Sequence, residues 1–356
     1  MLGFLEVPRR KTLLLYLHIP FCDSKCHYCA FNSYVDKFHL KKGYIKSVTI
    51  QLKKELENLE KKSIKSIFIG GGTPSTVEPC SYEEFFETIK PYLKDKAEIT
   101  SEANPNSATL DWLKGMNNLG VTRISFGIQS FSEKKLKILG RNHSSRQALR
   151  AIEDANRVGF ENISIDLIYA TTFDDEKDLK IALELPINHI SSYALTLEEN
   201  TPFFGKNELV DESEKCSREF IEKISSNFPQ YEISNFGTYQ SVHNLGYWRG
   251  EDYLGIGSGA VGFKKDKRYY PSKSIEEYIK NPLKKEVEVL TEENLRVERI
   301  FLGLRCIVGV DLEVFTQKEM QKVELLLKER KLTCKANRVY NNDFLVADEI
   351  ALYIIS

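Results

Sequence analysis

Tyr16-Leu17-His18-Ile19-Pro20-Phe21-Cys22-Asp23-Ser24-Lys25-Cys26-His27-Tyr28-Cys29-Ala30-Phe31 leads from an apolar, strand-like run into a loop with C-x3-C-x2-C spacing. Soft thiolates select iron–sulfur clusters or zinc. Three of them on one loop can hold three irons of a four-iron, four-sulfur cluster and leave the fourth iron open. A structural zinc site closes with four ligands, so zinc would have to recruit His18 or His27. Disulfides fit less well, because seven cysteines leave one over and no feature marks the chain as secreted. The loop favours an iron–sulfur site with an open iron.

A chain of 356 residues can build one large domain and one small one, with a sizeable core. Its formal net charge of −1 gives no overall pull toward nucleic acid or an anionic membrane. No apolar run reaches the roughly 18 residues a membrane helix needs. Arg9-Arg10-Lys11 ahead of the leucine-rich run resembles a targeting segment, but His18 and Pro20 interrupt it and no small-residue cleavage site follows. We read the run as a buried strand and expect a cytoplasmic protein.

Strand-like runs at 13–18, 66–70, 98–102, 123–127, 162–168 and 189–195 alternate with amphipathic helical stretches. Ser81-Tyr82-Glu83-Glu84 has the form of a capping box, and Gly120 and Gly159 sit where helices should stop. Six βα units make an α/β fold with a parallel sheet, either doubly wound or an incomplete barrel. In both, the loops at the carboxyl ends of the strands build the site. The cysteine loop follows the first strand at that end.

The other strand ends should then supply its partners. They read Gly70-Gly71-Gly72-Thr73-Pro74, Ser101-Glu102-Ala103-Asn104-Pro105, Gly127-Ile128-Gln129-Ser130-Phe131 and Asp166-Leu167-Ile168-Tyr169. Consecutive glycines let a backbone approach a ligand and offer its amides to a carboxylate. Glu102, Gln129 and Asp166 are polar where an apolar strand would continue. One such residue is usually a cap or a solvated turn. Four polar strand ends in succession are better explained by a site.

Taken in order, the cysteine loop, Gly-Gly-Gly-Thr-Pro, Glu-Ala-Asn-Pro and Gly-Ile-Gln-Ser-Phe resemble the radical S-adenosylmethionine superfamily. Within it they resemble the branch of oxygen-independent coproporphyrinogen oxidases and heme chaperones. The likeness continues through Leu139–His143, Tyr193–Leu197, Tyr231–Asn235, His243–Trp248 and Tyr253–Ala260. It implies an incomplete (βα)6 barrel over residues 1–263. Cys22, Cys26 and Cys29 would ligate the cluster, and S-adenosylmethionine would occupy the open iron and be split to a 5′-deoxyadenosyl radical. Gly71, Gly72 and Thr73 match the segment that contacts the methionine moiety. Tyr16, Glu102, Gln129, Arg141 and Asp166 match further S-adenosylmethionine contacts. Glu102 could accept from an ammonium or a ribose hydroxyl, and Arg141 could pair with a carboxylate.

The oxidases carry a further cysteine two residues after the third, where this chain has Phe31, and an extension ahead of the cluster loop, where about twenty residues stand here. Both departures favour heme handling over coproporphyrinogen decarboxylation. His243-Asn244-x-x-Tyr247-Trp248 resembles the segment linked to heme in the chaperone group. Imidazole is a common axial ligand of heme iron, so His243 is the heme-linked candidate, against the plainer reading of a hydrogen-bonded structural histidine. The implied partners are heme, an acceptor protein and a reductant for the cluster. A homodimer sharing heme between protomers is compatible with the sequence. After Tyr169 the family usually continues with glycine and a proline-containing turn, whereas this chain has Ala170-Thr171-Thr172-Phe173. Gly255-x-Gly257-x-Gly259 lacks the context of a dinucleotide fingerprint and reads as a tight turn.

From residue 264 to 356 we expect a small α+β, winged-helix-like domain. Its helices fall at 274–280, 292–304 and 312–331, followed by a hairpin turning at Asn341-Asn342-Asp343. Balanced charge argues for a lid or a partner surface rather than nucleic-acid binding. Cys80, Cys216, Cys306 and Cys334 are scattered and read as ordinary thiols.

Overall fold

The computed structural model describes residues 12–356; Arg9-Arg10-Lys11 lie outside the described residues. Six strands, β1 (Leu13–Ile19), β2 (Ile64–Gly71), β3 (Leu93–Ala103), β4 (Arg123–Gln129), β5 (Asn162–Tyr169) and β6 (His189–Ala194), pair in sequence order, each parallel to the last. Leu13, Leu14, Leu15, Leu17 and Ile19 are buried on both faces of β1, as a parallel strand covered by helices on one side and by a barrel interior on the other requires. Between the strands run α1 (Lys41–Leu56), α2 (Glu83–Ile89), α3 (Leu110–Asn118), α4 (Glu133–Leu139), α5 (Ser145–Val158) and α6 (Asp175–Leu183).

Local chemistry sets these helix ends. The Thr109 side chain accepts from Trp112 N to start α3, and Ser144 and Gln147 form a reciprocal capping box at α5. Gly120 and Gly159 take positive φ just past α3 and α5. The capping box read at Ser81–Glu84 does not form. Pro79 opens a 3₁₀ turn, Pro79–Tyr82, which runs straight into α2, and no side chain caps that helix. A proline at the first position sets helical φ without an N–H to satisfy.

The barrel stays open. β6 continues into α7 (Glu214–Ser225), β7 (Gln230–Glu232) and β8 (Asn235–Gly237), and β8 pairs antiparallel with β6. After α8 (Val242–Trp248), β9 (Tyr253–Ile256) pairs parallel with β1 on its free edge. β10 (Gly262–Lys264), β11 (Lys267–Pro271) and, after α9 (Ile275–Lys280), β12 (Lys285–Val289) extend the same sheet antiparallel. Among the described residues this makes one sheet of 12 strands with β12 and β7 at its edges. The division expected after residue 263 falls inside β10. Ile275 and Tyr278 of α9 belong to the main core, whereas a second core begins at Ile300.

The second core joins α10 (Glu292–Leu304), α11 (Gln317–Lys328) and α12 (Ala347–Ile355) to a small sheet of β13 (Val310–Asp311), β14 (Leu332–Lys335) and β15 (Arg338–Asn341). The hairpin turns at Ala336-Asn337, both at positive φ, not at Asn341-Asn342-Asp343. Two consecutive left-handed residues give the turn twist that matches a tight hairpin. Asn341 lies on β15, where its Nδ2 donates to Leu304 O at 3.1 Å.

Candidate functional site

The cysteine loop sits over the carboxyl ends of β1–β4 and is tied down on each side. Cys22 N donates to Tyr34 O, and His27 N to Leu139 O. His27 Nδ1 meets Ile138 O at 2.7 Å. Gly140, at φ 73, is glycine because a Cβ there would strike the His27 ring. His18 has both ring nitrogens engaged, Nδ1 with Tyr16 Oη and Nε2 with Asn32 O, each at 2.9 Å. These histidines hold the loop together.

Cys22, Cys26 and Cys29 are free and half-buried. Among the described residues no three His, Cys, Asp or Glu side chains are drawn into a group that would hold a metal ion. The donor set nevertheless has the chemistry of a cluster loop. Three soft sulfurs lie on one short loop, Thr73 Oγ1 donates to Cys22 Sγ at 3.4 Å, and Arg141 Nη1 donates to Cys26 Sγ at 3.2 Å. Hydrogen-bond donors on sulfur favour the thiolate. Without metal, burial holds the Cys22 and Cys29 thiols above their ordinary range.

Arg141 is the hub of this region. Besides Cys26, its guanidinium donates to Asn104 Oδ1 at 2.7 Å and to Gly127 O, so it clamps the ends of β3 and β4 to the cysteine loop. Its partners are the Cys26 sulfur and neutral oxygens, the Tyr28 hydroxyl among them, not a carboxylate. Asn104 also donates to Thr73 Oγ1 at 3.2 Å. The sequence reading quoted Asn104 within a motif without giving it a role; a polar residue just past a strand end was its signal. Gln129 closes this corner at φ 68, a left-handed conformation uncommon outside glycine.

The amides that follow Gly70 are engaged within the protein. Gly71 N donates to Glu102 Oε2, Gly72 N to Ile19 O and Thr73 N to Phe21 O. All three amides are committed to the protein. The glycines are required by space: a Cβ on Gly71 would enter the His18 ring, and one on Gly72 would lie 2.8 Å from Ile19 O and from Phe21 O. The segment locks β2 under the cysteine loop.

Glu102 and Asp166 stand on neighbouring parts of the interior wall. Burial, with Asp166 opposing it, pushes the Glu102 carboxyl up to about 8. Burial raises Asp166 to about 6, moderated by Arg123. Ser125 Oγ donates to Asp166 Oδ1 at 3.3 Å. Two partly buried carboxyls that oppose each other's ionisation would lose their protons more readily beside a cationic ligand.

Tyr16 and His243 lie further along the same interior wall, where Tyr16 is close enough to Glu102 and Tyr247 for both to oppose its ionisation. A cavity of about 650 Å³ opens on this interior side, between β1, β2, the β9–β11 strands, α8 and α10. Tyr16, Phe68, Tyr247, Tyr253 and Phe263 line it with rings. His243 is 1% exposed. Its Nδ1 meets Ser66 Oγ at 2.9 Å, while Nε2 is buried without a hydrogen-bond partner. Burial, then Lys65 and Arg123, drive its pKa down to about 3, so the ring is neutral. Glu98 anchors the helix that carries it, accepting from Val242 N, His243 N, Ser241 Oγ and Tyr239 Oη at 2.8–3.2 Å. Sequence reasoning missed Glu98 and Ser66, because a charge and a hydroxyl inside strands carry no local pattern. Gly257 and Gly259, both at positive φ, form the expected tight turn, and Gly259 lines the cavity.

A partial barrel with a cysteine loop over its strand ends defines a class, and known proteins agree with it. Residues 16–185 match the model of the radical SAM superfamily. The chain is 34% identical over 326 residues to the heme chaperone HemW of Bacillus subtilis (strain 168), covering 85% of this chain and 86% of that one. It is 38% identical over 265 residues to HemW of Escherichia coli (strain K12), 70% of each chain. It is also 38% identical over 270 residues to the mitochondrial radical S-adenosyl methionine domain-containing protein 1 of Danio rerio, 70% of this chain and 60% of that one. The solved structure of the coproporphyrinogen III oxidase HemN from Escherichia coli, described as a radical SAM enzyme, superposes with a TM-score of 0.80 at 18% identity, covering 98% of this chain and 90% of that one. The chain belongs to the radical SAM superfamily, in the HemW group of its coproporphyrinogen-oxidase-like branch. No helix among the described residues is long and apolar enough to cross a membrane.

Proposed function

We propose that this protein binds heme at His243 and passes it to an acceptor protein, with a four-iron, four-sulfur cluster and S-adenosylmethionine held at the strand ends. The observation that carries the reading is the unpartnered Nε2 of a neutral, buried His243 on a cavity walled by aromatic rings. A buried polar atom without a partner is uncommon in folded proteins and calls for a ligand. Imidazole is a standard axial ligand, with its second nitrogen fixed by a hydrogen bond as Ser66 fixes Nδ1 here. The cavity falls in the roughly 300–1,000 Å³ range of small-molecule and cofactor sites. The relatives named heme chaperones support the same reading.

At the strand ends, Cys22, Cys26 and Cys29 would hold the cluster, Arg141 and Thr73 would donate to its sulfurs, and Glu102 and Asp166 would face S-adenosylmethionine. Bound there, the cluster supplies single electrons drawn from an external reductant. Phe31, 70% exposed, stands where the oxidases carry a sulfur.

The test is anaerobic reconstitution of wild type and His243→Ala, followed by titration with hemin and incubation with coproporphyrinogen, S-adenosylmethionine and reductant. Stoichiometric hemin binding lost in His243→Ala, without protoporphyrinogen formation, is the expected result. Efficient decarboxylation would replace this reading with the oxidase. A full cluster retained in Cys26→Ala would show that the ligand set is wrong.

A further inference from the structure

The cavity beside His243 has a charged rim. Its floor and walls are aromatic and aliphatic, with Leu295 and Leu302 of α10 facing the sheet, but Lys265, Arg268 and Arg299 also line it, against Asp252 and Glu298. Arg268 is neutralised locally, paired with Glu298 and near Glu288. Asp252 Oδ1 accepts from the Lys265 backbone N–H at 2.7 Å. The side chains of Lys265, on the β10–β11 turn, and Arg299, on α10, are exposed and make no ion pair or hydrogen bond among the described residues. One cavity is therefore lined by His243, whose Nε2 is buried and unpartnered, by an apolar body of rings, and by two exposed cations from separate elements.

We propose that Lys265 and Arg299 recognise the carboxylate edge of the ligand bound at His243, which makes the ligand a metallated tetrapyrrole carrying free acidic side chains. This assignment rests on the heme reading above. A charge-assisted contact to carboxylate is stronger than a neutral one and selects for ionised acids, and arginine offers a planar donor fork that matches a carboxylate. Because Arg299 belongs to α10, the unit beyond the main sheet supplies part of the binding site. Cations at the mouth would also orient the macrocycle, acid edge outward and iron toward His243.

The test compares two ligands on the full chain, hemin and the iron(III) protoporphyrin dimethyl ester, whose carboxylates are masked. Both are titrated by Soret absorbance into wild type, Lys265→Glu/Arg299→Glu and His243→Ala. Charge reversal should weaken hemin by about tenfold or more, leave the ester's affinity unchanged, and preserve the Soret position of the bound iron. Hemin affinity should fall with added salt in wild type and lose most of that dependence in the double variant. Unchanged hemin affinity in the double variant, or equal loss for both ligands, would overturn the rim assignment while the His243 site stands. His243→Ala binding hemin as wild type does would remove the site itself and this assignment with it.

Discussion

At the scale of single residues, the interior carboxyls carry the sharpest consequence. Glu102 has its folded pKa raised to about 8, so the folded state holds that proton more tightly than the unfolded chain does. Its contribution to stability is complete below the ordinary carboxylate range and is lost as pH rises through about 8. Glu102→Gln keeps an acceptor for Gly71 N but cannot ionise. The variant should therefore match wild type near pH 5 and exceed it by about 2–4 kcal/mol near pH 9 in urea unfolding of the metal-free protein. The same substitution should weaken S-adenosylmethionine binding, read by calorimetry, because the cation loses its counter-charge. A stability difference constant with pH would show that Glu102 is already ionised.

At the scale of elements, two local devices matter. α8 is seven residues long, too short to be stable by itself, and Glu98 from β3 satisfies its first amides. Glu98→Ala should cost about 3 kcal/mol in chemical denaturation, since several donors are left buried and unpaired, and should also weaken hemin binding through the misplaced His243. Hemin affinity unchanged in a destabilised Glu98→Ala would show that α8 holds His243 without this anchor. The other device is the turn after β5. Ala170 has φ 56, so the left-handed bend is kept by a residue that disfavours it. Lys135, fully buried, holds the turn by donating to Ile168 O and Asp175 at 2.6 Å, while Asp175 accepts from Thr171 N at 3.0 Å. Ala170→Gly should stabilise the protein by about 0.5–1 kcal/mol, the relief of left-handed strain less the added freedom of the unfolded chain. A loss of stability would show that the packing, not the backbone, determines the bend.

At the scale of the whole molecule, the two sites share β1 and β2 but differ in what closes them. The cysteine loop caps the strand ends, while the His243 cavity is lined by Tyr16 and Phe68 of the interior face and takes α10 as a wall. Ile300, fully buried in the second core, supports α10. Ile300→Ala should cost about 2–5 kcal/mol and lower hemin affinity while leaving the iron–sulfur absorption of reconstituted protein intact. Loss of both signals together would mean that the two parts unfold as one.

The sequence by itself determined the six-strand parallel core, since continuous apolar runs, helix periodicity and stop glycines such as Gly159 are local signals. It also determined the cysteine loop and the polar strand ends, which parallel topology must gather at one face. Only the tertiary structure decided what those groups do to one another. Strand pairing commits the Gly71–Thr73 amides to protein acceptors, the fold surrounds Arg141 with sulfur and neutral oxygens rather than a carboxylate, and β9 joins the free edge of β1 to extend the sheet past residue 263. The cavity, too, was invisible beforehand. Ser66, Glu98, His243, Lys265 and Arg299 are far apart in the chain, and burial, hydrogen bonding and charge balance exist only once long-range contacts have formed.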